Sequence, residues 1–350
     1  MRRLPVFFVL DCSESMVGEK LKQMEEGIAD IVKTLRTDPY ALETVHISVI
    51  AFAGTAKTIA PPIDVVSFYP PKLPLGGGTS LGAALDVLME SIDKNVVKTT
   101  PDKKGDWKPI VYLFTDGNPT DNYAQSISRW NSSYANKTKL IAIGLGKSVD
   151  FSVLHKLTEN VLVLEDLNKS DFKKCFNWVT NAVTAQSKSV GEGKDATGLS
   201  DLDDSVLKVV KETPLSGVDD TCVTLLGRCR KTRRPYIIKY EKQSKMVATQ
   251  DFKLDVSNYE IAGCYPLEED YFSWSDQKAN NAKVNTNKLV GAPGCPHCGA
   301  LSAFAVCSCG KLLCIDGPGE VTCPWCETSI SFSASDSGEE SGFDVGRGRG

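Results

Sequence analysis

Leu4-Pro5-Val6-Phe7-Phe8-Val9-Leu10-Asp11-Cys12-Ser13-Glu14-Ser15 decides the fold. An apolar run without polar alternation reads as a strand buried on both faces, and such strands belong to parallel sheets covered by helices. The run stops at Asp11, and hydroxyls follow at Ser13 and Ser15. A strand-end carboxylate with hydroxyls at i+2 and i+4 puts three oxygen ligands on one loop, a donor set for a hard cation. Asp11 also ends the apolar stretch too early for a secretory signal or a bilayer span, although Met1-Arg2-Arg3 precedes it. The expected location is therefore cytoplasmic, with no membrane contact, and the sequons at Asn131 and Asn136 carry no meaning.

Outward from this run, strand and helix patterns alternate through about residue 187. Residues 18–35 have helical spacing, with Leu21, Met24, Ile28, Ile31 and Val32 on one face. Residues 45–52, 110–114, 140–143 and 161–164 read as apolar strands. Residues 80–92 read as a helix, and Ser170 can cap another that runs to about residue 185. The predicted fold class is α/β, a doubly wound, mostly parallel sheet over residues 1–187. In such a sheet the strand ends converge on the carboxyl edge, where ligands bind. Two further segments reach that edge. Gly76-Gly77-Gly78-Thr79-Ser80 opens a helix from a tight loop and presents the Thr79 hydroxyl. Phe114-Thr115-Asp116-Gly117 ends another parallel strand with a carboxylate.

Asp11-x-Ser13-x-Ser15, then Thr79, then Asp116, resembles the metal-ion-dependent adhesion site of von Willebrand factor A domains over residues 1–187. The resemblance implies that these five residues hold Mg2+ or another divalent cation on the top edge of the sheet. Two carboxylates balance a doubly charged ion, and one coordination position stays open to water or to a partner's carboxylate. That favours binding over catalysis, so no enzyme activity and no small-molecule substrate are expected. A poised base is lacking among the three histidines. His46 lies in an apolar strand, His155 on a short helix away from the loops, and His297 in the cysteine-rich region. Glu14 reads as a solvated loop residue. Gly76–Ser80 lacks a P-loop lysine, and the segment ending Gly146-Lys147-Ser148 lacks the earlier glycine, which is Ile141.

Residues 188–204 are small, polar and Gly-rich, as a linker is. The chain has 350 residues, of which 41% are hydrophobic, so more than one domain is expected. Residues 205–333 show short strands at 221–226, 234–240 and 259–264. Seven of the 12 cysteines fall between Cys295 and Cys326, and in a cytosolic chain clustered cysteines point to metal. Cys295-Pro-His-Cys298 and Cys323-Pro-Trp-Cys326 are two knuckles expected to share one tetrahedral Zn2+. Cys307, Cys309 and Cys314 are possible additional ligands: packed thiols, or part of a second or cross-braced site that uses Cys307 and Cys309 with one of the knuckles, its missing ligand supplied by His297 or Cys264. Residues 291–333 thus form a zinc ribbon-like module, and residues 334–350 an expected disordered tail.

The net charge of −4 gives no reason to expect a general polyanion binder. The stretch 228–245 is basic, with Tyr236 and Tyr240 interleaved. It supports the alternative reading, a nucleic-acid-binding protein acting through the ribbon and this stretch; the plainer reading is a solvated β-hairpin.

The A-type domain, the segment Ile261-Ala262-Gly263-Cys264-Tyr265-Pro266 and the CPxCG…CxCGxxxC…CPWC ribbon together resemble TerY proteins of bacterial tellurium-resistance clusters. Residues 205–333 are similar to the TerY-type C-terminal metal-binding domain. The resemblance implies a non-enzymatic scaffold in stress-response signalling, with a protein kinase and a PPM-family phosphatase as partners. The linker and the two unlike metal sites predict two halves that work independently.

Overall fold

Every residue of β1 (Leu4–Asp11) is buried, as its unbroken apolar run requires. The computed structural model of the chain describes residues 2–146, 149–191, 207–210, 221–248, 253–276, 282–333 and 342–348. From β1 the chain forms α1 (Glu19–Leu35), α2 (Pro39–Thr44), β2 (Val45–Phe52), β3 (Ala56–Asp64) and α3 (Leu81–Asn95). It continues through β4 (Ile110–Thr115), α4 (Ala124–Ser133), β5 (Lys139–Leu145), α5 (Phe151–His155), β6 (Val161–Leu164), α6 (Lys169–Gly191) and β7 (Leu207–Val209). The sheet order is β3-β2-β1-β4-β5-β6-β7. The inner five strands are parallel, and β3 and β7 add antiparallel edges.

Alternate residues of β1 serve two cores. Leu4, Val6, Phe8 and Leu10 meet Met24, Ile28 and Ile31 of α1 and Phe172 and Phe176 of α6. Phe7 and Val9 meet Leu81, Leu85 and Leu88 of α3 and Trp130 of α4. Helices on both faces explain why β1 and β4 show no polar alternation. The sequence reading does not include β3, whose half-exposed residues include Pro61 and Pro62, as an edge strand permits. It also omits α4, whose buried face is only Ser126, Ile127 and Trp130.

Two predicted boundaries move. Helix α6 runs to Gly191, so the expected linker at 188–204 begins inside a helix; residues 192–206 lie outside the described residues. Strand β7, assigned from sequence to the second domain, pairs with β6 of the first sheet.

The second sheet is built on long antiparallel strands β8 (Cys222–Arg228), β9 (Pro235–Ala248) and β10 (Lys253–Pro266). After α7 (Tyr271–Trp274) come β11 (Lys283–Asn285), β12 (Leu289–Val290), β13 (Ser302–Val306), β14 (Leu312–Ile315), β15 (Gly319–Thr322), β16 (Ser329–Phe332) and β17 (Asp344–Gly346). The order β12-β10-β9-β8-β14-β13 joins the meander to the cysteine-rich region, and β14 runs parallel to β8. β15 and β16 form a hairpin, and β11 pairs with β17. Residues 342–348 are therefore docked in extended form, not the disordered tail expected; 334–341 and 349–350 lie outside the described residues.

The two halves are packed against each other, contrary to the expectation of independence. Val17 shares a small core with Ile237, Leu267 and Tyr271, and Trp274 joins the core of the first domain. Thr55 N donates to Trp274 O at 3.1 Å and Asp276 N to Gly77 O at 2.8 Å. A Cβ at Gly54 would stand 1.9 Å from Asp276 N, so the approach requires glycine.

Candidate functional site

Three loops at the carboxyl edge bring Asp11, Ser13, Ser15, Thr79 and Asp116 together, all buried. Strand β1 delivers Asp11, and Gly76 N bonds Cys12 O at 3.0 Å, drawing the glycine loop over it. Thr79 is held by Thr120, whose N donates to Thr79 O at 2.8 Å and whose Oγ1 accepts from Thr79 N at 2.9 Å. Ser13 N donates to Asp11 Oδ1 at 2.9 Å, and Thr115 Oγ1 donates to Asp11 Oδ2 at 2.6 Å. Ser15 Oγ lies 3.0 Å from Ser13 Oγ and donates to Asp116 Oδ1 at 2.7 Å. Lys20 Nζ lies 2.5 Å from Asp116 Oδ2.

This set fits a divalent cation on two observations. The Thr79 hydroxyl is buried and has no hydrogen-bond partner among the described residues, a cost of about 1–3 kcal/mol unless a ligand takes it up. Burial and the neighbouring Asp116 charge push the Asp11 carboxyl up to about 7, so the pair of carboxylates calls for positive charge. Asp11, Ser13, Ser15, Thr79 and Asp116 would hold the ion, and oxygen donors suit Mg2+.

The sequence reading missed the surroundings of this loop. Glu14 is buried, not solvated: Tyr271 donates its hydroxyl to Glu14 Oε1, and Thr224 Oγ1 lies 3.4 Å from Oε2. Lys239 is 4% exposed and donates to Ser15 O at 2.9 Å and Val17 O at 3.3 Å. Burial, then repulsion from Lys20, hold its ammonium below the usual 10.5. Its signal in the sequence is a lone lysine in the apolar strand segment Tyr236-Ile237-Ile238-Lys239-Tyr240.

The cysteines form two clusters of four: Cys229, Cys295, Cys298 and Cys314, and Cys307, Cys309, Cys323 and Cys326. The two CPxC knuckles thus belong to different clusters, which corrects the single site of Cys295, Cys298, Cys323 and Cys326. Parallel pairing of β14 with β8, Leu313 opposite Arg228, sets Cys314 beside Cys229 and close to the first knuckle. The second knuckle meets Cys307 and Cys309 instead. Cys229 was missed, and neither His297 nor Cys264 takes the eighth place. His297 Nε2 lies 2.7 Å from Pro235 O.

Sulfur separations of 3.7 Å (Cys298–Cys314), 3.6 Å (Cys307–Cys326) and 4.0 Å (Cys309–Cys323) exclude disulfides. Four sulfurs about 2.3 Å from one zinc lie about 3.8 Å apart, so both clusters fit a tetrahedral ion. Backbone amides of Thr232, Arg230, Cys309 and Trp325 each donate to a cluster sulfur at 3.4 Å. Such bonds favour thiolate. Hydrogen bonding with Thr328 brings the Cys326 thiol down to about 6, whereas burial raises the thiols of Cys295, Cys309, Cys314 and Cys323.

The basic stretch is largely engaged within the chain. Arg228 lies over the Trp325 ring at 4.5 Å, Arg233 pairs with Glu327 at 2.8 Å and Arg230 with Asp316. Tyr236 and Tyr240 are buried and present no face to a base. His46 Nδ1 lies 3.2 Å from Thr44 O, and His155 lines a cavity near the opposite edge of the sheet.

A von Willebrand factor type A domain model matches residues 6–174, and the TerY-C metal binding domain matches residues 219–350. Curated relatives include inter-alpha-trypsin inhibitor heavy chain H2 of Mus musculus, 27% identical over 196 residues, 50% of this chain and 20% of that protein. Heavy chain H1 of Bos taurus is 25% identical over 158 residues, 44% of this chain and 17% of that one. The chain thus spans about a fifth of the length of these relatives. Among solved structures, mussel byssus proximal thread matrix protein 1 has a TM-score of 0.38 at 18% identity, covering 51% of this chain and 47% of that one. A form of that protein is described with a zinc-occupied adhesion motif. The VWA2 paralog of ArnB from Sulfolobus acidocaldarius has a TM-score of 0.38 at 11% identity, covering 77% and 66%. Among the described residues no helix is long and apolar enough to cross a membrane. The chain joins a von Willebrand factor type A domain to a TerY-C metal binding domain, and so has the TerY-type architecture.

Proposed function

We propose that this chain is a non-enzymatic, cation-dependent protein-interaction scaffold, cytoplasmic, acting in bacterial stress-response signalling of the tellurite-resistance kind. Its partners are a protein kinase and a PPM-family phosphatase. Mg2+ is the proposed ion at Asp11, Ser13, Ser15, Thr79 and Asp116, and Zn2+ the proposed ion at both cysteine clusters. The observation that carries the reading is the buried Thr79 hydroxyl, without a hydrogen-bond partner among the described residues, beside two buried carboxylates, a set suited to an ion. Both carboxylates, and Glu14 beside them, already accept hydrogen bonds from the chain itself, which supports binding over base catalysis. The engaged arginines and buried tyrosines count against the nucleic-acid alternative.

The test is retention of a candidate kinase and phosphatase on the immobilised full chain with Mg2+, with EDTA, and with Asp116→Ala. Retention should require both Mg2+ and Asp116. Equal retention in all three conditions removes the adhesion-site reading.

A further inference from the structure

Residues 342–348 lie along the second domain, and their last residue, Gly348, reaches Glu14 of the first. β17 lies antiparallel to β11, Val284 opposite Val345, and the two form a separate two-stranded sheet. A two-stranded sheet is marginal alone, so its hold comes from what it packs on. Val345 is 1% exposed and belongs to the core of Val223, Leu225 and Tyr240. The main chain is pinned on both sides of it. Phe343 N donates to Thr286 Oγ1 at 3.0 Å, Thr286 N to Phe343 O at 2.9 Å, and Arg347 N to Ala282 O at 3.0 Å.

Gly348 then reaches the cation loop. Its N donates to Thr224 O at 2.8 Å. A Cβ there would stand 1.9 Å from Glu14 Oε2 and 2.2 Å from Thr224 Oγ1, so a larger residue has to push those two side chains aside. Gly346, Arg347 and Gly348 line a cavity of about 370 Å³ that Glu14, Asp276 and Trp325 also line. Arg347 thus lines a space that two carboxylates also border.

Main-chain pairing to a strand edge, one buried side chain and one close glycine contact are the elements of peptide recognition by strand addition. We propose that this strand edge is a docking site for an extended peptide of the pattern aliphatic-Gly-Arg-Gly. The chain's own residues 343–348 fill it as a displaceable latch, and a partner protein carrying such a segment takes their place. The exchange happens against Glu14, between the cation-site serines Ser13 and Ser15, so partner and ion meet at one rim.

The probe is a fluorescein-labelled peptide Gly-Phe-Asp-Val-Gly-Arg-Gly, the sequence of residues 342–348. It is titrated into the full chain and into the full-chain double variant Val345→Asp/Gly348→Val, followed by anisotropy. The variant, with its latch unseated, should bind the peptide at least tenfold more tightly than the unaltered chain. A peptide carrying the same two substitutions should not bind. Amide hydrogen exchange in Gly348→Val alone should speed up at least tenfold at Val345 and Gly346, with exchange in β1 unchanged. Equal peptide binding by the two chains, equal binding of the two peptides, or unchanged exchange at Val345 overturns the proposal.

Discussion

Lys239 Nζ donates to the carbonyl oxygen of Ser15 at 2.9 Å, so a strand of the metal binding domain fixes the backbone of a cation-site residue in the other domain. Its second bond, to Val17 O at 3.3 Å, spans the same loop. Lys239→Met leaves both buried carbonyls without this donor, which should cost about 1–3 kcal/mol. Denaturant unfolding should show that loss, and calorimetric Mg2+ affinity should fall at least threefold. Unchanged affinity would separate Lys239 from the cation site.

Lys20 carries its charge to Asp116 Oδ2, where it competes with a divalent ion. Lys20→Met removes a positive charge beside the site. Relief of about 1 kcal/mol, as for partly exposed charges, corresponds to roughly fivefold tighter cation binding. Weaker binding in this variant would mean that Lys20 supports the bound state.

Acidity should act through Asp11, whose carboxyl is raised from 3.8 to about 7 by burial and by Asp116. Between those values the folded, ion-free chain holds a proton that the unfolded chain has released. Its stability should therefore fall as pH rises from about 4 to 7. An incoming cation displaces that proton, so apparent affinity should drop close to tenfold per pH unit below about 7 and level off above it. Mn2+ titrations at pH 6, 7 and 8 check this; a flat series would contradict it.

Two zinc ions per chain are expected from the two clusters. Cys229→Ser and Cys309→Ser should each lower the elemental zinc count from two to one, and the double variant should bring it to none. A single shared site built from both knuckles predicts no loss in either variant. Because Cys229 follows β8, which carries Thr224 to Glu14, its variant should also weaken cation binding.

The first domain was legible because its evidence is local. Continuous apolar runs mark β1, β2, β4 and β6, and one-sided helical spacing marks α1. The five cation-site residues each sit at a strand end or in a glycine loop, so position in the sequence implied position in space. Lys239, a lone lysine in an apolar strand, Tyr271 and Thr224 gave no indication of where they act, since they reach the loop from 224, 257 and 210 residues away. Cys229 was lost for a similar reason: only the parallel pairing of β8 with β14 shows it beside Cys314. The knuckle spacing announced zinc but not which knuckle keeps company with which loop.

The contact between Glu14 and Tyr271 sets an order of events during synthesis. The loop that bears Glu14 leaves the ribosome 257 residues before its capping tyrosine does. At about 5–20 residues per second, that interval is roughly ten to fifty seconds. For that time the nascent chain presents its cation loop to the cell with Glu14 uncapped and Ser15 unbraced. The carboxyl edge of the sheet, begun by the first strand, is completed only once the second domain has been made.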